Sequence, residues 1–592
     1  MPGPLKRVLL LTAAGIFIYW NAISNPFVFD DFGAIVNNPT IRQINAATLT
    51  PPEATPVAGR PLANLSFAMS YAAGGMDAAG FRALNLAIHL GCAVLLMLLV
   101  GDTLSRCKVP MAPWLAFGTA LIWVVHPLNS EPVDYLTERT ESLMALCFLT
   151  SFYAAVRGLD GSSSRRWDVL AVCAAIAGVF AKETIAVLPL IVVAWDRTFA
   201  FPSLAAAFRA RRRLYLGLSC VWIALAFSVW RSGQTFSAGF ATAGVTPWAY
   251  LLNQPAIILN YLKLLIWPMR LVNYYGWPLR DLSVASIAPA GSVIVALLVV
   301  SALGIWRWPR AGFAAIWFWL ILAPTSSIVP IGTEVGAERR MYLADAALIS
   351  LAVVAAAWAI RRFKMPANAA LALLVIVAGL LSWRTIERNR EYSSALRLAE
   401  TTLERWPTAQ SQNMVGVELA AAGRHEEAVV HLREAVKGYP TAHYYLGSEL
   451  LTLRQLDPAI SELQAFVDSE PLLVATTRAR LMMATAYAAK QDSAAAMAQA
   501  EKVLAVSPED ADAHALMANL LAEKHDFAGA VPHYQHFLAS HPNNAAAWTG
   551  LGVALIEAGD QRTAVSAFQR AVDLEPGNAG YRENLARAIG RK

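Results

Sequence analysis

The chain has 592 residues, of which 56% are apolar and only 15% are charged, and its mean hydropathy is +0.44. This composition lies outside the range of ordinary soluble proteins and predicts a membrane protein. The net charge of +6 reflects basic loops and gives no indication of nucleic-acid binding. The five cysteines show no spacing typical of disulfides or of a zinc site, so we interpret them as small apolar residues.

Twelve apolar segments are long enough to span, or nearly span, a bilayer. Because so many follow the first one, we interpret the first as a retained helix rather than as a cleaved signal peptide. The segments are 8–24, 83–101, 113–127, 141–157, 168–181, 184–197, 214–231, 249–268, 286–306, 312–330, 342–360 and 366–383.

The basic loops predict how these segments cross the membrane. With the N-terminus in the cytoplasm, the positive-inside rule holds as far as residue 213. If 249–268 also crossed, the basic turns 307–310 and 361–364 would lie outside. We therefore predict that 249–268 lies in the interface or re-enters, which leaves eleven crossings and an extracytoplasmic C-terminus. Asn253 and Gln254 suit such a segment better than a simple spanning helix.

On this topology, polar clusters gather on one extracytoplasmic face. The set comprises the loop 25–82, the turn that follows residue 125, the turn 182–183, the external or interfacial region 232–285 and the segment 332–342. Charged residues in short turns between membrane helices are costly unless they line a cavity, so each cluster is a candidate functional element. The alternative for any one of them is a solvated loop end.

Two adjacent carboxylates, Asp30 and Asp31, follow the first apolar segment directly. A carboxylate at the mouth of a membrane helix suits an enzyme whose donor lies in the lipid and whose acceptor lies in water. The alternative is a solvated turn, because Asp favours loops.

From about residue 395 the composition changes to Ala-rich amphipathic helices with regularly spaced prolines. The last unit has Trp548, Gly552, Ala564, Phe568 and Pro576 at the positions of a 34-residue tetratricopeptide repeat (TPR). We predict about five full repeats after a half repeat, and hence a domain 1–390 of membrane helices followed by a TPR domain 391–592. A TPR stack offers a groove for a peptide or protein, or it scaffolds an oligomer. The prolines are Pro407, Pro440, Pro471, Pro508, Pro542 and Pro576.

With these features in place, the chain resembles the TMTC-type proteins, which are multi-pass O-mannosyltransferases with a GT-C membrane fold and TPR units. The resemblance covers nearly the whole chain. It depends on the order and spacing of "FDDFGAIVNNPTIR" (29–42), "RPLANLSFAMSY" (60–71), "FRALNLAIHL" (81–90), "HPLNSEPVDYLTERTESLMAL" (126–146), "KETIAVLPLIVVAWD" (182–196) and "AERRMYL" (337–343).

The resemblance implies an all-α fold and transfer of mannose or another hexose from a polyprenyl-phosphate carrier to a hydroxyl group outside the cytoplasm. Asp30 matches the position of the general base. Asp31 would orient the acceptor, share the proton with Asp30, or hold a divalent cation such as Mg²⁺ or Mn²⁺. The acceptor is expected to be Ser or Thr of a protein held by the TPR groove. Alternatives are an envelope glycan or lipid acceptor, or a non-enzymatic TPR scaffold for envelope proteins.

The leaving lipid phosphate needs positive charge around it. The candidate donor-binding residues comprise cations, their acidic partners, histidines and aromatic residues: Arg139, Lys182, Arg339, Arg340, Glu131, Glu183, Glu338, His89, His126, Tyr274 and Tyr275. A structural ion pair is the alternative for each charged residue, packing is the alternative for His89, and an interfacial aromatic belt is the alternative for the tyrosines. A bacterial inner or cell membrane, with the TPR domain outside the cytoplasm, is the expected location.

Overall fold

The structure, a computed structural model, describes residues 3–53, 55–160, 164–232, 245–277, 279, 282–327, 329–469 and 475–590. Contacts divide the chain into two compact units, 1–406 and 407–592. The described residues form helices with no β-strand, which confirms the all-α prediction. Pro471 and Pro278, two of the prolines in the predicted segments, lie outside the described residues.

The described residues of the first unit form fifteen α-helices. They are α1 (Pro4–Tyr19), α2 (Pro61–Gly74), α3 (Ala78–Arg106), α4 (Ala112–Val125), α5 (Glu131–Asp134), α6 (Arg139–Arg157), α7 (Ser164–Val179), α8 (Leu188–Trp195), α9 (Leu204–Ser232), α10 (Pro247–Ile266), α11 (Val284–Arg307), α12 (Pro309–Leu322), α13 (Met341–Arg362), α14 (Ala367–Glu391) and α15 (Ala395–Arg405).

Each of the twelve predicted apolar segments overlaps a helix of this unit, which is an integral membrane protein domain. Five described helices are long and apolar enough to cross a bilayer by length and composition. Helix α11 is the most exposed of them, with 6% of its apolar window buried in protein, which suits a helix that faces lipid. The number of crossings stays a prediction. The five are 78–106, 204–231, 284–307, 338–362 and 368–391.

Helix α10 contacts polar segments at one end of the helix bundle, both near its start and near its end. Near its start, Tyr250 donates a hydrogen bond to the carbonyl of Thr325 (2.7 Å), and one turn later Gln254 donates to the carbonyl of Val335 (3.2 Å). Near its end, the carbonyl of Leu265 lies 3.0 Å from Nε2 of His126. A helix lying across one end of the bundle would make such contacts, whereas a helix that left this end would not.

In the second unit, the residues that the structure describes form a stack of five antiparallel helix pairs with one further helix. The pairs are α16 and α17 (Ala409–Ala421, His425–Ala435), α18 and α19 (Ala442–Thr452, Leu456–Ser469), α20 and α21 (Ala475–Ala489, Ser493–Val506), α22 and α23 (Ala511–Glu523, Phe527–Ser540), and α24 and α25 (Ala545–Glu557, Gln561–Leu574), followed by α26 (Ala579–Gly590). The prediction of a TPR solenoid is confirmed.

Small residues let the two helices of each pair touch. A Cβ added to Gly447 would lie 2.6 Å from Leu463, and one added to Gly552 would lie 2.7 Å from Phe568. Both glycines occupy the eighth position of their repeats, where only a small residue allows this approach. The helix pairing is therefore encoded locally in each repeat.

Candidate active site

Polar segments that are far apart in the sequence meet at one end of the first unit. Near the end of α14, the Asn389 amide donates to the carbonyl of Ile18, at the end of α1 (2.9 Å). Just before α13, Arg339 lies 2.8 Å from Glu131, in the segment that follows α4. These contacts place the loop after α1, the segment between α4 and α6, and the segment before α13 at the same end of the bundle.

The carboxylate of Asp31 holds the turn after α1 against the segment before α6. Its Oδ1 accepts hydrogen bonds from the N–H (2.8 Å) and the hydroxyl (2.7 Å) of Thr137, and its Oδ2 accepts from the N–H of Val28 (3.1 Å). The side chain has no exposed surface, and this burial raises its pKa to about 6. Within this turn, Phe29 adopts a left-handed conformation with φ = 44°, which is uncommon for a bulky residue and needs such support.

Asp30, by contrast, is exposed. Its backbone N–H donates to the hydroxyl oxygen of Tyr135 (3.0 Å), so the main chain is fixed while the carboxylate remains open to solvent. Desolvation, and then the negative charge of Glu138, raise the pKa of Asp30 above its ordinary value, although Arg339 and a hydrogen bond from Tyr135 oppose the shift. Of the two adjacent acids, only Asp30 is placed to meet an acceptor.

Arg339 lies at the centre of a cluster of three carboxylates. Its guanidinium contacts Glu131 (2.8 Å), Glu138 (3.0 Å) and Glu334 (2.6 Å), and its backbone N–H donates to Glu131 (3.0 Å). Burial raises the pKa of Glu131 to about 7, even though Arg339 opposes that shift. For Glu138 burial acts in the same direction, but the charges of Arg339 and Lys182 outweigh it and hold the pKa of Glu138 below its ordinary value.

Lys182 joins the same cluster from the turn before α8. Its ammonium lies 2.8 Å from Glu141 and 3.8 Å from Glu138. The side chains of Lys182 and Arg339 keep 12% and 16% of their surface exposed, and Asp30 lies close enough to this cluster for the charges of Glu138 and Arg339 to act on it. Glu138 is the carboxylate that these two cations share.

The other predicted arginines are used inside the protein. Arg340 is 6% exposed and donates to the hydroxyl of Tyr250 (3.0 Å) and to the carbonyls of Thr325 (3.0 Å) and Glu334 (3.1 Å). These bonds tie α10 to the segments around α13. The geometry therefore assigns Arg340 a structural role.

Arg139 differs most from its predicted role as a ligand of the donor phosphate. It is fully buried, and its N–H groups donate to Asn85 (2.5 Å), to Ser66 (2.9 Å to the carbonyl), to Ser70 (3.1 Å) and to the carbonyl of Phe81 (2.8 Å). With every nitrogen bonded to protein and no exposed surface, Arg139 joins α2, α3 and α6. The sequence pattern misplaces it because charge alone does not reveal which way a side chain at a helix start points.

Both histidines are satisfied inside the protein. The ring nitrogens of His89 lie 2.7 Å from the Tyr342 hydroxyl and 3.2 Å from the Val124 carbonyl, in agreement with the packing alternative. His126 is 1% exposed, and one of its nitrogens accepts from the N–H of Leu128 (3.2 Å). The other nitrogen, Nε2, contacts the carbonyl of Leu265 in α10, so neither nitrogen of His126 is left for a phosphate.

The predicted aromatic pair is split between surface and core. The Tyr274 hydroxyl donates to the carbonyl of Thr333 (2.8 Å) on the partly exposed side, whereas Tyr275 is 2% exposed and donates to Glu338 (3.2 Å). Glu338 is itself buried and lies 3.6 Å from Arg388. Only Tyr274 has a surface that a sugar or a lipid headgroup can reach.

The remaining predicted acid, Glu183, lies at the open edge. Its side chain is 49% exposed and lies 3.5 Å from Arg60, which the sequence analysis did not single out. Glu138, Glu334 and Tyr135 were also missed as site residues. Glu138 and Glu334 do fall within "TERTE" and "GTEVGAERR", so the density of carboxylates beside Arg was an available signal.

Asp31 is poorly placed to hold the predicted divalent cation. Both oxygens of Asp31 are occupied by hydrogen bonds to Thr137 and Val28, and no surface of the side chain is exposed. In the part of the chain that the structure describes, no group of three or more His, Cys, Asp or Glu residues is arranged to hold a metal. The cation itself stays a prediction.

Comparison with known proteins gives matches in both units. A tetratricopeptide repeat family matches residues 387–443 and 515–579. The human protein O-mannosyl-transferase TMTC1 is 30% identical over 169 residues, which cover 27% of this chain and 19% of that protein. A Caenorhabditis elegans protein O-mannosyl-transferase is 24% identical over 477 residues, covering 74% of this chain and 63% of that protein.

The chain thus spans about a fifth of the length of the first curated relatives it matches, and nearly two thirds of the nematode relative. The predicted resemblance to TMTC-type proteins and the predicted TPR repeats are confirmed by these similarities. Among solved structures, YrrB, described as a TPR protein with an unusual peptide-binding site, is 15% identical and covers 32% of this chain and 97% of that chain, with a TM-score of 0.29.

Proposed function

We propose that this protein is an integral-membrane glycosyltransferase that moves a hexose from a polyprenyl-phosphate carrier to a hydroxyl group. Mannose is the hexose we favour. Ser or Thr of a protein on the extracytoplasmic side is the acceptor we favour. The observation that carries the proposal is Asp30, an exposed carboxylate at the mouth of α1, beside the cluster in which Glu138 contacts the partly exposed cations Lys182 and Arg339. The proteins named as O-mannosyl-transferases to which the chain is similar support the same reaction class.

In the proposed step, the carboxylate of Asp30 takes the proton of the acceptor hydroxyl. The hydroxyl oxygen forms a bond to the anomeric carbon of the sugar while the bond from that carbon to the phosphate oxygen breaks. Polyprenyl phosphate leaves with the electron pair. A general base of this kind contributes about 10²-fold to 10⁴-fold in rate.

The leaving phosphate gains negative charge, which Lys182 and Arg339 are placed to stabilise. Both cations already bind carboxylates, so the phosphate would displace part of their contact with Glu138. Glu131 contacts Arg339 through both its guanidinium and its backbone N–H, and so keeps that residue in position when the contact with Glu138 loosens. Asp31 acts as a positioning residue because it fixes the turn that presents Asp30.

The TPR repeats fit the role of recognising a protein acceptor. Such repeats are protein-interaction modules, and a groove that binds the acceptor raises its local concentration near the enzyme. A scaffold without catalysis would use the same groove. It would not, however, explain why an exposed acid stands beside partly exposed cations at one end of the membrane unit.

The test is to compare glycoproteins, glycans and lipids of the cell envelope with and without the protein, and then to restore it as the wild type, as Asp30→Asn or as Glu53→Gln. Glu53 is another exposed acid in the same loop, and its replacement is the matched control. We expect a glycoprotein signal that returns with the wild type and with Glu53→Gln but falls at least about 10²-fold with Asp30→Asn. A signal confined to glycans or lipids would move the acceptor to the alternative class. Full restoration by Asp30→Asn would refute the catalytic assignment.

A further inference from the structure

A cavity of about 260 Å³ lies between the end of α14, one side of α15 and the residues just after α10. We name it the arginine pocket, after Arg384, Arg397 and Arg405 in its wall. All of its lining residues belong to the first unit. The predicted and proposed roles described above use none of them.

The pocket has one apolar side and one charged side. Trp383 is 54% exposed and Met269 is 38% exposed, and both line the cavity. Trp383 belongs to a helix that is long and apolar enough to span a bilayer, and it lies two turns before that helix ends. A Trp at the polar end of a membrane helix is typical of the lipid–water boundary. The apolar side of the pocket therefore lies at the depth where lipid chains meet their headgroups.

On the charged side, several guanidinium groups share one carboxylate. Glu391 lies 3.1 Å from Arg384, 2.6 Å from Arg388 and 2.8 Å from Arg405. Arg388 also lies 3.6 Å from Glu338, whereas Arg397 is exposed at the rim. The remaining acid of the wall, Glu387, is paired with Arg390 at 2.5 Å.

Cations are therefore in excess. Three guanidinium groups and two carboxylates line the pocket. Glu387 is balanced by Arg390 and Arg388 by Glu338, so Glu391 alone opposes the three lining arginines and two positive charges are left for a ligand. The groups are also fixed in place, because Arg384 donates to the carbonyl of Pro268 (3.2 Å) and Arg405 donates to that of Leu271 (2.7 Å). A fork of fixed guanidinium groups suits phosphate oxygens, and little conformational freedom is lost on binding.

We propose that the arginine pocket binds the phosphate headgroup of an anionic membrane lipid. The phosphate lies among Arg384, Arg397 and Arg405, and the lipid chain runs along Trp383 and Met269. A soluble anion would have no use for the apolar side, and a neutral lipid would have no use for the two unbalanced charges. Basic pockets at the ends of membrane helices bind lipid headgroups for these reasons.

The pocket lies behind the candidate active site. Arg388 joins Glu391, in the wall of the pocket, to Glu338. Tyr392, which follows Glu391 in the sequence, packs with Val28 and Tyr135 beside the turn that contains Asp30. A lipid held here would stabilise the packing that supports the turn. The proposal concerns binding alone and does not depend on the proposed transfer reaction.

The test uses the purified full-length protein in a neutral detergent, with bound lipid counted by native mass spectrometry and thermal stability measured in parallel. The probes are phosphatidylglycerol, polyprenyl monophosphate, phosphatidylcholine and inorganic phosphate. The variants are Arg397→Gln and Trp383→Ala, and the control is Arg361→Gln. Arg397 and Trp383 are exposed, so their replacement leaves the fold intact, and Arg361 is an exposed arginine in the last turn of α13, remote from the pocket.

We expect the anionic lipids to bind and to stabilise the wild type and Arg361→Gln, with affinity about tenfold weaker in Arg397→Gln and in Trp383→Ala. Equal binding of both anionic lipids would support a general headgroup site. Preference for polyprenyl phosphate would support a site for the carrier. The proposal is overturned if phosphatidylcholine binds equally well, if inorganic phosphate alone gives the full stabilisation, or if the two pocket variants bind like the wild type. None of these outcomes depends on sugar transfer, so failure here and failure of the proposed function are distinguishable.

Discussion

Replacing Asp31 with Asn should damage the fold of the turn, whereas the same change at Asp30 should damage only the chemistry. The carboxylate of Asp31 accepts two hydrogen bonds from Thr137 through Oδ1 and one from the N–H of Val28 through Oδ2, all of them buried. An Asn amide placed with its oxygen at Oδ1 keeps the bonds from Thr137. Its NH₂ group then faces the N–H of Val28, and two donors meet without an acceptor.

The magnitude follows from these contacts. One buried donor without a partner costs about 1–3 kcal/mol, and two further bonds lose the extra strength that a charged acceptor gives. We therefore expect Asp31→Asn to lower the free energy of unfolding by about 2–4 kcal/mol. Asp30→Asn should change it by no more than about 0.5 kcal/mol, because this side chain is exposed and an Asn oxygen can still accept from the Tyr135 hydroxyl.

The assay is thermal unfolding of the purified full-length protein in detergent, followed by intrinsic fluorescence, with sugar transfer measured on the same preparations. Asp31→Asn should unfold at a clearly lower temperature, and Asp30→Asn should unfold like the wild type but transfer at least about 10²-fold more slowly. Equal loss of stability in both variants would contradict the assignment of one acid to support and the other to chemistry. So would a stable Asp31→Asn protein.

Three further predictions concern other parts of the molecule. The pKa of Asp30 is raised and the base must be ionised, so the rate of sugar transfer should fall on acidification at pH values already above the ordinary carboxyl pKa of about 4. The residual transfer rate of Asp30→Asn should not show this pH dependence. A chain ending after Trp406 should keep the first unit folded, since Trp406 donates to the carbonyl of Tyr275 (3.0 Å). A chain ending after Arg390 loses the bonds of α15 and should aggregate on size-exclusion chromatography. Gly447→Ala should destabilise the TPR unit by about 1–3 kcal/mol in denaturant unfolding, because its Cβ would lie 2.6 Å from Leu463. Gly577→Ala is the matched control, because a Cβ at Gly577 meets nothing within 4 Å. The glycine prediction is contradicted if both glycine variants lose similar stability. The pH prediction is contradicted if the residual rate of Asp30→Asn still falls on acidification as in the wild type. The truncation prediction is contradicted if the two shortened chains behave alike.

The sequence by itself determined the helices of both units. Apolar segments of bilayer length and the 34-residue spacing of small residues are local signals, since each records what a residue's near neighbours require. The same holds for the position of Asp30 and Asp31 directly after the first apolar segment. For this reason the membrane helices, the TPR stack and the importance of that turn could all be predicted before any contact was known.

Only the tertiary structure decided which charged side chain faces outward. Asp31 meets Thr137 across 106 residues of sequence, and Arg339 meets Glu131 across 208. Arg139, which looked like a phosphate ligand, is buried by Asn85 and other residues on two other helices, while Glu138 became the carboxylate shared by Lys182 and Arg339. Charge is a property of a single residue, but burial and pairing depend on segments brought together by the fold. The roles within the candidate site were therefore set by long-range packing.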